Sequence, residues 1–274
     1  MHKREVYYDS GSFVRGLMTL TYVGSGFAVG LLVGLTGVGG GSLMTPLLTL
    51  LFGVNPAVAV GTDLAFASAT KTAGTLAHRY HDNIHWDIVK RLCLGALPAA
   101  LLATLALKYF GALSTEIGQF IRYSIAVSVL LTVVAILLRT RMQNWMNAHP
   151  GRQLQGNTLI VATIVSGAVL GTLVTISSIG AGAVGATLLV LLYPRLKPAE
   201  IAGTDIAYAV PLTAIAAIGH WWLGSINWEL LVMLLLGSVP GITLGSLAAR
   251  AVPERALRGL LAVTLTGVAA KLVL

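Results

Sequence analysis

The sequence repeats itself, and the repeated positions include polar residues inside apolar runs. A gapless shift of 142 positions carries Gly61, Thr62 and Asp63 onto Gly203, Thr204 and Asp205. The same shift carries His78 onto His220, Trp86 onto Trp228, Gly95 onto Gly237 and Pro98 onto Pro240. A duplicated chain must fold as two copies of one topology, and the polar residues common to both copies must meet somewhere they can be satisfied.

Composition says where that is. Of the 274 residues 56% are hydrophobic and only 10% are charged, with a mean hydropathy of +0.83. Soluble domains carry about 25% charged residues. Nearly every stretch of about 20 residues is apolar, which predicts an all-α polytopic membrane protein. The formal charge of +8 does not point to nucleic acid. The basic residues lie between hydrophobic segments, where the positive-inside rule accounts for them, and no base-stacking aromatic pattern accompanies them. The single cysteine, Cys93, lies in an apolar segment and reads as a buried, inert thiol. The apolar run after the basic N-terminus, about 13–36, is too long for a cleaved signal and reads as a retained helix.

Five apolar segments fill each repeat. In the first they cover roughly 13–36, 42–53, 56–77, 87–110 and 117–138, and in the second roughly 157–178, 182–193, 198–219, 227–249 and 254–274. The organisation is a tail over 1–12, a first transmembrane repeat over 13–138, a polar linker over 139–156 and a second repeat over 157–274. The second segment of each repeat has only about 12 residues, hence about 18 Å of helix against about 30 Å of hydrocarbon. Glycine leads both: Gly37, Gly39, Gly40 and Gly41 before Ser42 in one, Gly180 and Gly182 in the other. These are expected to be broken or re-entrant helices, because irregular backbone at membrane depth must be buried in protein or line a wet cavity.

Equivalent loops carry opposite charge bias. Residues 79–91 include Arg79, Lys90 and Arg91, while 221–233 have no Lys or Arg; residues 51–57 are uncharged, while their mates include Arg195 and Lys197. That predicts inverted halves, although Lys3, Arg4 and Arg15 then fall on the wrong side.

The run Gly30, Gly34, Gly37, Gly41 and Ser42, then the Pro46 helix, Asn55-Pro56-Ala57 and Gly61-Thr62-Asp63, resembles the TauE/SafE family, described as sulfite-exporter-like anion permeases. Pro198-Ala199 and Gly203-Thr204-Asp205 fit its duplicated layout, and the resemblance covers almost the whole chain. The second half departs from it in lacking the triple glycine. The resemblance implies transport of sulfur-containing anions.

The residues carry a separate argument. Backbone N–H groups at a helix N-terminus are unpaired and partly positive, and glycine lets them approach a ligand. An anion site is therefore one reading of Thr36, Gly37, Gly39, Gly40, Gly41 and Ser42, with Ser178, Gly180 and Gly182 as the second half-site; Thr62 and Thr204 are further candidate donors. Close helix packing through small residues is the other reading, and it also explains Ser25 between Gly24 and Gly26. Lys71 and His78 lie about 80° and 60° from Asp63 on one helix face. Lys71 would attract an anion. Asp63, Asp205, His78 and His220 would carry protons or form a structural polar network. Lys71 corresponds to Thr213, so the halves cannot bind alike. Trp86, Trp221, Trp222 and Trp228 fit interfacial anchors.

His78, His81 and His85 with Asp82 read as solvated groups rather than a metal site, and no cofactor or catalytic arrangement is expected. The expected function is a secondary transporter and exporter of small sulfur-containing anions such as sulfite or organosulfonates. It would be proton-coupled, work by alternating access, and sit in a bacterial inner (plasma) membrane. A passive anion channel and a membrane scaffold subunit are the alternatives.

Overall fold

The computed structural model describes residues 10–36, 41–79, 83–149, 151, 153–248, 259, 263–268 and 270–271. Among them nine helices are delimited: α1 (Ser10–Thr36), α2 (Gly41–Leu51), α3 (Pro56–Arg79), α4 (Trp86–Phe110), α5 (Thr115–Ala148), α6 (Gly156–Ser177), α7 (Ala183–Leu192), α8 (Pro198–Trp222) and α9 (Trp228–Ala248). Residues 263–268 are also helical. Among the described residues all regular structure is helical, and α4, α5, α6, α8 and Trp228–Gly245 of α9 are each long and apolar enough to cross a bilayer, as in an integral membrane protein.

Local chemistry sets the helix starts. Pro56 opens α3, where a missing N–H costs nothing, and the Asn55 Oδ1 accepts from the Ala57 amide at 2.9 Å. Pro198 opens α8, and there the Lys197 amide donates to the Glu200 carboxylate at 2.7 Å. The Asn227 Oδ1 accepts from the Leu230 amide and starts α9. One boundary departs from the sequence expectation. The polar stretch read as a linker from residue 139 is helical up to Ala148, because its residues are adequate helix formers and α5 simply runs out of the bilayer. At about 1.5 Å per residue α5 is about 51 Å long, far more than the hydrocarbon thickness.

The outside is apolar. Leu94, Leu101, Leu102, Leu105, Tyr109 and Phe110 on α4, and Phe120, Leu130, Leu131, Val134 and Leu137 on α5, are exposed, as lipid contact requires. Trp86, Trp221, Trp222 and Trp228 are exposed too. Lys108 extends its Nζ over the Trp222 ring, 3.1 Å from the centroid. Cys93 is half-buried and carries a free thiol.

Two pairs of helices run side by side through glycine. A Cβ on Gly26 or Gly30 of α1 would overlap the α9 backbone at Leu234 or Ser238, and one on Gly237, Gly241 or Gly245 would overlap the α1 backbone. On the other side, Gly95 of α4 abuts Ile164 and Ala168 of α6, while Gly167 and Gly171 of α6 abut Leu92 and Ala96 of α4. Without a hydrophobic drive inside lipid, such close backbone contact supplies dispersion energy. Gly26 thus serves packing, the reading favoured for its neighbourhood.

α3 and α8 form the centre and run antiparallel. Gly61, early in α3, abuts His220 late in α8, and Lys71, further along α3, reaches the field of Asp205 early in α8. Residues 59–64 of α3 are buried without a break, as expected of a helix enclosed by others. Two hydrogen bonds tie the halves across this centre. The Asn227 amide donates to the Thr62 Oγ1, and the His85 amide donates to the Thr204 Oγ1, both at 3.1 Å.

Candidate functional site

The polar centre starts from a turn. Between α6 and α7 the backbone reaches φ 59° at Ser178, 134° at Gly180 and 138° at Gly182. The last two values suit glycine alone, and they let the chain reverse within five residues at the foot of a helix only 10 residues long. The Gly185 amide closes the turn onto the Gly180 carbonyl at 2.9 Å. The Ser177 Oγ accepts from the Ile179 amide at 3.2 Å and links to Ser128 of α5 at 3.0 Å.

Lys71 points into this turn. Its Nζ donates to the Ala181 carbonyl at 2.9 Å, and the side chain is 7% exposed. Asp205 and Asp63, both buried, lie within its electrostatic reach. The Thr45 hydroxyl of α2 donates to Oδ2 of Asp63 at 2.5 Å, and the Ser178 hydroxyl stands beside the same carboxyl. Asp205 is flanked by Lys71, Arg139 of α5 and the Gly182 backbone. Tyr208, one turn along α8, is fully buried and faces Asp205.

Two buried polar atoms of this cluster stand without a hydrogen-bond partner, Oδ1 of Asp205 and the Tyr208 hydroxyl, while the Ser178 hydroxyl serves the Asp63 carboxyl. Buried polar groups are nearly always paired, since an unmade hydrogen bond costs about 1–3 kcal/mol. Two unmade bonds beside a buried ammonium give a setting that can hold a polar ligand. The charges also bear on the chemistry. Both carboxylates lie within the electrostatic reach of Lys71, and Arg139 of α5 acts on Asp205 as well. Each proton taken up moves the charge of the cluster one unit towards positive, in a setting where unbalanced charge is costly.

The structure therefore brings together Asp63, Lys71, Ser178, Asp205 and the turn containing Gly180 and Gly182. Thr62 and Thr204 lie elsewhere, holding the loops before α9 and α4. His220 is buried with both ring nitrogens engaged, Nδ1 with the Ser225 hydroxyl at 2.9 Å and Nε2 with the Thr175 carbonyl at 3.0 Å. Gly37, Gly39 and Gly40 lie outside the described residues, as do the side chains of Thr36, Ser42 and His78; Gly41 and Ser42 open α2. Among the described residues no group of acids, histidines or cysteine could hold a metal. Three residues were not singled out by sequence: Thr45, Gly185 and Tyr208. Only Tyr208 left a trace, a hydroxyl where the first repeat has Phe66.

The model of the family "Sulfite exporter TauE/SafE" matches residues 22–272. The "Probable membrane transporter protein YjnA" of Bacillus subtilis (strain 168) is 37% identical over 229 residues, covering 84% of this chain and 89% of that protein. The "Probable membrane transporter protein YdhB" of the same organism is 27% identical over 87% of this chain and 93% of its own length. A "Probable membrane transporter protein" of Xylella fastidiosa (strain Temecula1 / ATCC 700964) is 29% identical over 83% of each chain. No solved structure matches. With a family match over residues 22–272 and a relative 37% identical over 84% of this chain, this integral membrane protein belongs to the sulfite exporter TauE/SafE family.

Proposed function

We propose that the protein is a secondary transporter that carries small sulfur-containing oxyanions, such as sulfite or an organosulfonate, across the bacterial inner membrane together with protons. The observation that carries this reading is the buried polar cluster around Lys71, with Oδ1 of Asp205 and the Tyr208 hydroxyl unpaired, between α3, α8 and the Ser178–Gly182 turn. Lys71 and the hydroxyls of Ser178 and Tyr208 can donate to an anion. An ionised carboxylate cannot, but a protonated one can, so Asp63 or Asp205 becomes a donor by taking up a proton. The added positive charge is matched by the arriving anion. Proton and anion then enter and leave as a pair, and their combined gradients set the direction of net movement.

The halves are read as inverted repeats. Support comes from the equivalent helices α3 and α8 running antiparallel, and from contacts that recur after the 142-residue shift. Asn227–Thr62 and His85–Thr204 are one such pair. Gly61 against Ser225 and Gly203 against Asn83 are another. Alternating access follows from motion of one half against the other about α3 and α8. Lys71 would exchange the Ala181 carbonyl for the anion, so substrate binding releases the turn that begins α7.

The test is flux in proteoliposomes containing purified protein, comparing sulfite, sulfate, thiosulfate and a small sulfonate with and without an imposed pH gradient. Saturable flux of one anion, driven uphill by the gradient, is the expected outcome. Flux that the gradient cannot drive uphill would make the protein a passive anion channel. Absence of flux from folded protein would remove the transport reading.

A further inference from the structure

A groove of about 740 Å³ lies on the outside of the protein between α4 and α8. Its walls are Leu101, Leu105, Ile215, Ile218, Trp221 and Trp222, and Thr104 and Gly219 complete its lining. A Cβ on Gly219 would overlap the Thr104 side chain, so the glycine lets the two helices touch at the base of the groove. Leu101, Leu105, Ile218, Trp221 and Trp222 are all exposed. The helices run in the same direction here, since the Lys108 Nζ near the end of α4 lies over the Trp222 ring at the end of α8. From Lys108 back to Leu101 the groove follows α4 for about two turns, or about 10 Å.

The end of this groove is charged. Lys108 is the only Lys or Arg in residues 92–121, and 221–233 have none. Because α4 is long enough to cross the bilayer, Lys90 and Arg91 near its start lie towards the opposite membrane face. Lys108 is thus an isolated cation on a face that the positive-inside rule leaves unexplained. Among the described residues no carboxylate forms a salt bridge with it. The Trp222 ring attracts the ammonium but offers no oxygen, which leaves N–H donors for a ligand. Trp221 and Trp222 suit the boundary between hydrocarbon and headgroups. The groove therefore joins a cation at the water-facing end to an apolar slot running into the hydrocarbon, which is complementary to one amphiphile with an anionic head.

We propose that this groove binds an anionic phospholipid, with the phosphate at Lys108 and one acyl chain between α4 and α8. α4 belongs to the first repeat and α8 to the second, so the lipid bridges the two halves of the molecule at one membrane face. The site is separate from the cluster around Lys71 and does not depend on what that cluster carries.

The experiment titrates the full-length protein in detergent with dioleoyl phosphatidylglycerol and counts bound lipid by native mass spectrometry. Dioleoyl phosphatidylcholine, with the same chains and no net charge, is the comparison. The wild type is expected to hold one phosphatidylglycerol more tightly than phosphatidylcholine. Lys108→Gln should weaken phosphatidylglycerol about fivefold, the worth of one basic residue near an anionic membrane surface, and leave phosphatidylcholine unchanged. Ile218→Trp adds bulk to the groove from an exposed position and should weaken both lipids. Arg122→Gln removes a cation from α5 outside the groove and should change neither. All three substitutions are at exposed positions, and a single monodisperse species confirms that each variant is folded. Equal losses in Lys108→Gln and Arg122→Gln would reduce the effect to attraction by net charge and overturn the site. Equal affinity of the wild type for the two lipids, or unchanged binding in folded Ile218→Trp, would overturn it as well. So would a dimer cross-linked through cysteines placed at Leu105 and Ile218, which would give the groove to a second copy of the chain.

Discussion

The halves of this protein agree where helix touches helix and disagree where polar groups meet. Gly95 meets Ile164 and Ala168 in one pairing as Gly237 meets Val23 and Phe27 in the other. Around the centre the correspondence fails. Thr45 donates to Asp63, but its mate Thr187 turns to the Ala183 carbonyl at 2.7 Å and makes no bond to Asp205. Lys71 reaches across to the turn of the second half, while its mate Thr213 bonds only the α8 backbone, at the Ala209 carbonyl. Packing is constrained by backbone geometry, which any second copy must satisfy in the same way. A binding site has no such demand, so one copy is free to carry the lysine and the other the turn that receives it.

The largest expected effect tests the part that is shared. Gly95→Val and Gly237→Val each force side-chain atoms into an opposing backbone carbonyl, which a rigid interface cannot yield. Each should cost about 3 kcal/mol or more, the upper range for overpacking. Loss of folded, monodisperse protein in detergent, equally for both variants, is the expected readout. Folded protein from one variant only would break the packing symmetry.

Next come Lys71→Met and its mate, Thr213→Val. Removing the buried ammonium leaves the two acids without the cation that reaches both and takes away the charge that draws the anion. Flux should fall about a hundredfold or more, in keeping with the several kcal/mol lost when one partner of a buried charge pair is removed. Thr213→Val deletes a hydroxyl bonded to its own helix and should leave flux within about threefold. Equal losses in the two variants would show the site to be symmetric after all.

A smaller and more informative difference separates the two acids. Asp205→Asn fixes the site one positive charge ahead, so it should bind and exchange anion without a proton while uphill movement driven by a pH gradient disappears. Asp63→Asn keeps an oxygen for the Thr45 hydroxyl and should lower flux without abolishing its response to the gradient. Anion counterflow measured beside gradient-driven uptake distinguishes the two outcomes, and the reverse result would hand the coupling role to Asp63.

Much of the fold was legible from sequence because it rests on local rules. Pro56 and Pro198 mark the starts of α3 and α8, and hydropathy marks the spans. The helical extension of α5 to Ala148 was not legible, since a solvated helix of mixed polar residues lacks the apolar run by which the other helices are recognised. Lys71, Asp63 and Asp205 stood out as charges in an apolar setting, where ionisable groups are expensive and functional by default. Thr62 and Thr204 stood out equally, yet they hold loops. A hydroxyl's partner depends on a residue more than a hundred positions away, which no local pattern encodes. Thr45 and Thr187 make the same point: they are identical and occupy equivalent positions, but only one meets a carboxyl. Gly185 and Tyr208 acquire meaning only when the facing residues of the two helices are known.

The smallest expected effect concerns those threonines, and its value lies in being equal on both sides. The Thr62 and Thr204 hydroxyls each accept one backbone amide from the opposite half, at the same distance of 3.1 Å. Valine matches threonine in shape and removes the acceptor, leaving the Asn227 or His85 amide unsatisfied. Each substitution should cost about 1 kcal/mol of stability, the usual worth of a neutral hydrogen bond. The double variant should lose about the sum if the ties act independently, as sites more than about 7–10 Å apart without shared partners do. Half-saturation for the anion should stay at the wild-type value in both single variants, because neither hydroxyl belongs to the cluster around Lys71. A raised half-saturation with unchanged stability in Thr204→Val would move that threonine from the scaffold into the site and return to the polar centre part of the symmetry it lacks.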